Sequence, residues 1–268
     1  YSPRTIRRVK YSMSIDISIL VPAIRKERWV NLYKSITRST SRRFELIIVG
    51  PYSLPEELQK VGNVKYIKDY GSPVRASQIG ALIAEGKYIF WASDDGTFQD
   101  GALDKAIECL ESQENKSIKD VVISNYKEGG TAQTDDVLRL NIAYPASPYI
   151  PDEWYQFNVA TMYTEFFREI GGYDCIFEAC PIAYADISAR AQRAGANVLV
   201  VNEVILDCTH MPGITGDHAP IHYAHLQADE PLYKTIYGMP DCVERAHIDL
   251  ENWRLSPRVW NRRFRSKN

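Results

Sequence analysis

The chain has 268 residues, 45% of them hydrophobic and 25% charged, which suits a folded globular protein and excludes disorder, collagen and coiled coil as whole-chain descriptions. No apolar run approaches the ~20 residues that a membrane helix needs. The formal net charge is −2, but residues 1–10 carry four bases and residues 254–268 six, with no acid in either, so the stretch between holds 22 bases against 34 acids. Such an acidic body argues against nucleic acid as a partner.

The five cysteines form no C-x-x-C pair, which points to a reduced, cytoplasmic compartment. No charged-then-apolar leader is present, so no signal peptide is expected. The basic tail interleaves its charges with Trp253, Trp260 and Phe264. That pattern suits peripheral contact with an anionic membrane surface, although a solvated terminus has the same composition.

In chain order, Ile15 to Val21 is a β-branched run stopped by Pro22, and Trp29, Leu32, Tyr33 and Ile36 follow at helical spacing. Phe44 to Val49 and Val64 to Ile67 are further apolar runs. Ser72 as N-cap, Pro73 in the first turn and Gly86 beyond the end predict a helix. Lys87 to Ala92 is a fourth strand, running straight into Ser93-Asp94-Asp95-Gly96. Leu103, Ile107 and Leu110 mark a helix, and Val121 to Ser124 a strand. Residues 126–158 read as a long loop, and residues 144–163 are dense in aromatics (Tyr144, Tyr149, Trp154, Tyr155, Phe157 and Tyr163). Thr164 is expected to cap a short helix ending at Gly171-Gly172. A helix is expected from about Pro181 to Ala194, then strands at Asn197 to Val201 and Val204 to Leu206. This alternation predicts an α/β domain with a mostly parallel sheet and helices on both faces. Ligands then belong at the carboxyl ends of the strands, at Pro22–Arg25, Gly50–Ser53 and Ser93–Gly96.

Asp94-Asp95 is the sharpest chemical signal. Adjacent carboxylates repel one another, and a hard cation offsets the repulsion and binds a diphosphate. The same residues also suit an ordinary turn.

"SILVP" (18–22), "SPVRASQIGALIAEG" (72–86) and "KYIFWASDDGTF" (87–98) occur in an order that resembles the GT-A fold glycosyltransferases, in particular the large inverting family 2. "FREIGGYD" (167–174) and "DISARAQRAG" (186–195) resemble that family's later segments, so the likeness spans roughly residues 15–212. It implies a Rossmann-type GT-A sandwich, a nucleotide-sugar donor with UDP as first choice, and Mn²⁺ or Mg²⁺ on the acidic motif. The motif here is Ser93-Asp94-Asp95, with serine in place of the first carboxylate, which makes Asp95 the expected metal ligand, with Asp94 assisting or holding ribose. His210 is the further metal ligand the resemblance implies. Pro22, Ala23, Arg25, Tyr52, Asp69, Arg75, Gln78, Ser93 and Asp94 are the expected donor-binding residues.

Inversion needs a general base near the acceptor hydroxyl. The family's glutamate-aspartate pair falls here on Ala183-Tyr184. Asp186 is therefore the expected base, Glu178 the reserve and Asp174 a third choice better suited to capping a helix. Trp154, Tyr155 and His218 are expected to hold the acceptor, a glycan or lipid-linked sugar, because aromatic faces pack on sugar C–H surfaces. His218, His222 and His225 share one helical face with metal-like spacing, but packing or acceptor contact accounts for them without zinc.

No G-x-S-x-G, Walker A or G-x-G-x-x-G motif is present. The expected organisation is a catalytic domain over 11–215 (nucleotide half about 11–97, acceptor half about 98–215) and a C-terminal extension over 216–268. Two alternatives to a transferase remain. One is a sugar-nucleotide nucleotidyltransferase, for which Arg25-Lys26 is the one hint of a triphosphate grip. The other is a catalytically impaired glycan-binding relative.

Overall fold

A computed structural model describes residues 14–129, 137–139, 155–209, 219–238 and 245–256. The elements are β1 (Ile17–Pro22), α1 (Trp29–Ser39), β2 (Phe44–Gly50), α2 (Glu56–Gln59), β3 (Val64–Lys68), α3 (Pro73–Ile83), β4 (Tyr88–Trp91), β5 (Gly96–Phe98), α4 (Ala102–Glu111) and β6 (Asp120–Gly129). They continue with β7 (Val137–Arg139), β8 (Ala160–Tyr163), α5 (Thr164–Glu169), α6 (Cys180–Arg193), β9 (Asn197–Thr209), α7 (Ala219–Ala224) and α8 (Glu230–Tyr237).

The strands form one sheet in the order β3-β2-β1-β4-β8-β6-β9-β5, with β7 beside β6. The first four are mutually parallel. β8 enters antiparallel between β4 and β6, β6 and β9 run parallel, and β5 closes the edge antiparallel to β9. The sheet is therefore mostly parallel, as expected.

Period-two alternation builds a core on each face. Ile17, Ile19, Val21, Leu46, Ile48 and Phe90 pack with Trp29, Leu32 and Ile36 of α1 and Leu103, Ile107 and Leu110 of α4. Leu20, Ile47, Val49, Ile89 and Trp91 pack on the other side, with α3, α5 and α6. Burying each large aliphatic side chain contributes about 1.5–3 kcal/mol.

Local signals explain most element ends. The Ser72 hydroxyl accepts the Arg75 N–H at 2.8 Å, and Pro73 opens α3. That helix ends at Ile83, short of Gly86, which lies where a Cβ would meet the Ser18 nitrogen at 2.5 Å. Thr164 begins α5 rather than capping it, and its hydroxyl donates to the Gly86 carbonyl at 2.6 Å.

The last residues of the aromatic stretch form β8, and Phe157 is fully buried, so Phe157 belongs to the core, while Tyr155 is exposed and Tyr144, Tyr149 and Trp154 lie outside the described residues. The Trp91 indole N–H donates to the carbonyls of Phe157 and Asn158 at 3.2 and 3.1 Å, fastening the stretch to β4. The two strands expected over 197–206 are one 13-residue strand, and its register against β6 shifts near Asn125.

The described C-terminal segments pack onto the domain. Tyr233 and Tyr237 of α8 are buried in the second core. Trp253 lies against the Arg75 guanidinium, 4.9 Å from its ring centre, so this aromatic of the basic tail is used within the chain. Trp260 and Phe264 lie outside the described residues. Among the described residues no helix is long and apolar enough to cross a membrane.

Candidate active site

The carboxyl ends of β1, β2 and β3 meet at one place. The Ala23 N–H donates to the Val49 carbonyl at 2.9 Å, and the Asp69 N–H to the Gly50 carbonyl at 3.2 Å. Gly50 is required there, since a Cβ would lie 1.8 Å from the Ala23 oxygen. The close approach brings Pro22 and Ala23, the Gly50-Pro51-Tyr52 turn and Asp69 to a common edge, where the sequence placed a nucleotide.

The acidic motif follows β4 and divides into two roles. Asp94 Oδ2 accepts the N–H groups of Ile24 and Arg25, each at 2.6 Å, and the Trp29 indole N–H at 3.2 Å. Its other oxygen is paired with the Arg25 guanidinium. Asp94 and Arg25 are 1% and 7% exposed, so both are interior groups. The pair shapes the loop between β1 and α1, at the strand end where both residues were expected to meet the donor. Asp95 is tied to the far edge, its carbonyl accepting the Thr209 N–H at 3.2 Å. Ser93 accepts the Gly96 N–H through its carbonyl at 3.1 Å, closing the turn.

Three other residues expected at the donor, Asp69, Arg75 and Gln78, have partners within the chain. Arg75 pairs with Asp69 at 3.1 Å and donates to the Trp253 carbonyl at 2.7 Å and the Ser256 hydroxyl at 3.0 Å. The two residues brace the C-terminal segment. Gln78 is fully buried. It donates to the carbonyls of Gly171 and Leu250 at 2.9 and 2.8 Å and accepts the Tyr173 N–H at 2.8 Å.

On the acceptor side, Asp186 is fully buried and sits in an i,i+4 ion pair with Arg190 at 2.8 Å. Tyr237 donates to it at 2.6 Å. Burial, then the charge of Asp186, pushes the Tyr237 hydroxyl well above the usual phenol range, so it stays a donor. Arg190 also donates to the carbonyls of Ile170 and Gly172 at 2.7 and 2.5 Å. This closed network does not fit a general base, which must reach an acceptor hydroxyl. Asp186 instead clamps the glycine turn. Gly171 and Gly172 have φ of +85° and +66°, and a Cβ on either would strike Ile248 or Gln78 within 2.3 Å.

Asp174, the third choice for the base, is paired with Arg245 and accepts the Ile176 N–H at 3.1 Å. Glu178 lies just ahead of α6, 6% exposed, its N–H donated to Asp229 at 2.8 Å. Tyr184, at the family's base position, stacks on Trp91 with ring centres 6.2 Å apart. Burial, then the Cys180 thiol, holds its hydroxyl well above the usual phenol range, and Cys208 adds to the shift. Cys208 is the register partner of Gly96, at the sheet edge that carries the acidic motif. At neutral pH Tyr184 is a neutral hydroxyl, not a base. Tyr155 is 38% exposed and held to α6, its N–H donating to the Gln192 side chain at 3.0 Å.

Among the described residues no three His, Cys, Asp or Glu side chains gather as a metal centre. With Asp94 bonded to the loop, a cation at the acidic motif would rest on Asp95 and need further ligands from outside the motif. His210, Trp154 and His218 lie outside the described residues. Among the described residues, His222 and His225 belong to no group of three metal-ligating side chains.

The sequence did not single out Trp29, Tyr184 or Asp229 for these roles. Trp29 and Asp229 carry no motif, and their partners lie 65 and 51 positions away.

Strand order, the antiparallel β8 and the acidic turn after β4 together define a GT-A-like fold. No family model and no curated protein matches the chain. Solved structures do. The structure of S. aureus TarS 1–349 matches with a TM-score of 0.57 at 13% identity, covering 95% of this chain and 92% of that one. The same fragment in complex with UDP matches with a TM-score of 0.55 at 14% identity, covering 82% and 69%. Its complex with UDP-GlcNAc matches with a TM-score of 0.54 at 14% identity, covering 82% and 70%. At such identity the likeness establishes the fold.

Proposed function

We propose that the protein is a glycosyltransferase that takes a sugar from a nucleotide diphosphate sugar, UDP-linked as first choice, and passes it with inversion to a glycan or lipid-linked acceptor. The observation that carries this reading is the convergence of the β1, β2 and β3 ends with the acidic turn after β4, in a fold shared with a protein captured with UDP and UDP-GlcNAc. Parallel sheets bind ligands at this edge. Pro22, Ala23 and Tyr52 form the nucleotide wall in this account, with Tyr52 stacking on the base. The Asp94–Arg25 pair holds the loop that follows Pro22 and Ala23.

Glu178 takes the role of base in place of Asp186, accepting the proton of the acceptor hydroxyl as its oxygen attacks the anomeric carbon. The donor's remaining bond to the diphosphate breaks as the new bond forms on the opposite face. Tyr155 and Tyr184 supply ring and hydroxyl to the acceptor side. A divalent cation, when bound, would neutralise charge on the leaving diphosphate. Asp95 is the described residue that would meet it, together with His210.

The test is release of UDP from UDP-glucose and UDP-N-acetylglucosamine, with Mn²⁺ and with chelator. Turnover with Mn²⁺ that chelator removes supports the whole reading; turnover that chelator leaves intact removes the cation from it. Saturable glycan binding without UDP binding or turnover favours the impaired relative, for which the replacement of the family's acidic pair by Ala183-Tyr184 is the supporting observation.

A further inference from the structure

We infer that Asp229 is a positioning residue for the acceptor side: from the C-terminal segment it fixes the main chain of Glu178 and the entry into α6. This rests on the transferase reading above.

Asp229 is 2% exposed. Its Oδ2 accepts two successive peptide N–H groups, those of Glu178 at 2.8 Å and Ala179 at 2.6 Å, across 51 and 50 positions of sequence. α6 has no cap of its own: Ala179 stands at the N-cap and Pro181 in the first turn. A serine or aspartate at position 179 would cap the helix locally. Here the Asp229 carboxylate from another element holds the two N–H groups just ahead of the helix, so the entry into α6 depends on where that element sits.

Local structure puts the carboxylate there. Residues His225–Asp229 form a π-helical turn that ends at Asp229 and continues directly into α8. Such turns are single-turn irregularities that recur at functional sites. α8 is anchored on both sides of the same feature. Tyr233 packs on Phe177, ring centres 6.2 Å apart, and Tyr237 donates to Asp186. Phe177, Glu178, Ala179 and Asp186 are thus held by one helix. Burying a carboxylate among peptide N–H groups is costly unless those bonds form, and the positive end of the α6 dipole favours the charge. Fixing the Glu178 main chain fixes the direction in which its side chain leaves the backbone.

The experiment compares full-length wild type, Asp229→Ala, Asp229→Asn, Glu178→Gln and the double variant Asp229→Ala/Glu178→Gln. Calorimetry with UDP reports the nucleotide half, which Asp229 does not touch, and UDP affinity is expected to stay within about twofold of wild type. Hydrolysis of UDP-glucose and UDP-N-acetylglucosamine, with water as acceptor, reports the acceptor half. There kcat falls about 10- to 100-fold in Asp229→Ala with KM for the donor unchanged, the size of a misplaced reacting group. Asp229→Asn keeps one acceptor oxygen and recovers part of the loss. The double variant is no slower than Glu178→Gln alone. In hydrogen exchange, the amides of Glu178, Ala179, Cys180 and Ile182 exchange at least about tenfold faster in Asp229→Ala, while β1 and β2 stay protected.

Wild-type kcat in Asp229→Ala, losses that multiply in the double variant, or unchanged exchange at these amides would each overturn the inference. Should wild type neither bind UDP nor turn over donor, the transferase reading fails, and the exchange experiment still decides whether Asp229 holds this turn. Should Asp229→Ala not fold, Asp229→Asn carries the same comparisons.

Discussion

The Asp94 carboxylate accepts the peptide N–H of Arg25 at 2.6 Å while its other oxygen pairs with the guanidinium of the same residue. One aspartate thus holds a loop by backbone and side chain together. Its neighbour Asp95 is bonded through its own carbonyl to the end of β9. The two carboxylates of the motif belong to different tasks, and substitution separates them.

Asp94→Ala leaves a buried guanidinium uncompensated. Stability is expected to fall by about 3–5 kcal/mol, read by urea unfolding. Asp95→Ala is expected to shift the unfolding midpoint far less and to lower turnover by about 100-fold or more, the scale of a lost electrostatic contact to the transition state. Equal destabilisation by the two variants would contradict this division.

Asp186→Ala tests whether that residue clamps or catalyses. Removing it strands Arg190, which is fully buried and donates to the Ile170 and Gly172 carbonyls. A loss of about 3–5 kcal/mol is expected. A fully stable but inactive Asp186→Ala would restore Asp186 as the base.

The glycine turn gives a backbone test. Gly172 has φ +66°, and a Cβ would lie 2.3 Å from the Gln78 side-chain oxygen. Gly172→Ala is expected to cost about 1–3 kcal/mol. Gln78→Ala, which by itself removes three buried hydrogen bonds, should cost less in the Gly172→Ala background than in wild type, because it also removes the clashing oxygen. Strictly additive losses would mean that the strain lies wholly in φ.

The sheet and its main helices were legible because their signals are local. Ser72-Pro73 marks the start of α3, and the unbroken apolar run Leu46 to Val49 marks a strand buried on both faces. The site was legible to the level of loops, since a parallel sheet fixes which strand ends bind. Individual side chains were not, because their roles are set by partners distant in sequence. Arg75 looks like a phosphate ligand until the Trp253 and Ser256 partners, 178 and 181 positions on, are in place. Asp186 looks like a base until Tyr237 and Arg190 enclose it. β8 escaped because its four residues follow directly on an aromatic loop and run straight into α5.

The acid sensitivity of the α1–β2 connection follows from Asp104. Burial alone would raise its pKa, but bonds from the Thr40 hydroxyl, the Ser41 N–H and the Ser41 hydroxyl prevail and hold it below its ordinary 3.8. A depressed folded pKa gives stability that is complete above the unfolded value and is lost as pH falls through the folded one. The stability gap between wild type and Asp104→Asn should therefore be full at neutral pH and narrow steadily below about pH 4. Urea unfolding across that range checks it; a gap that widens on acidification would reverse the sign.

The central claim is that a nucleotide binds where β1, β2 and β3 meet the acidic turn. Calorimetric titration of UDP with Mn²⁺ into wild type, Tyr52→Ala and Asp95→Ala tests it most directly. The account predicts one saturable site in wild type, weakened about tenfold or more in both variants with their melting temperatures close to wild type. No UDP binding by the wild type, or equal affinity in all three proteins, would contradict it.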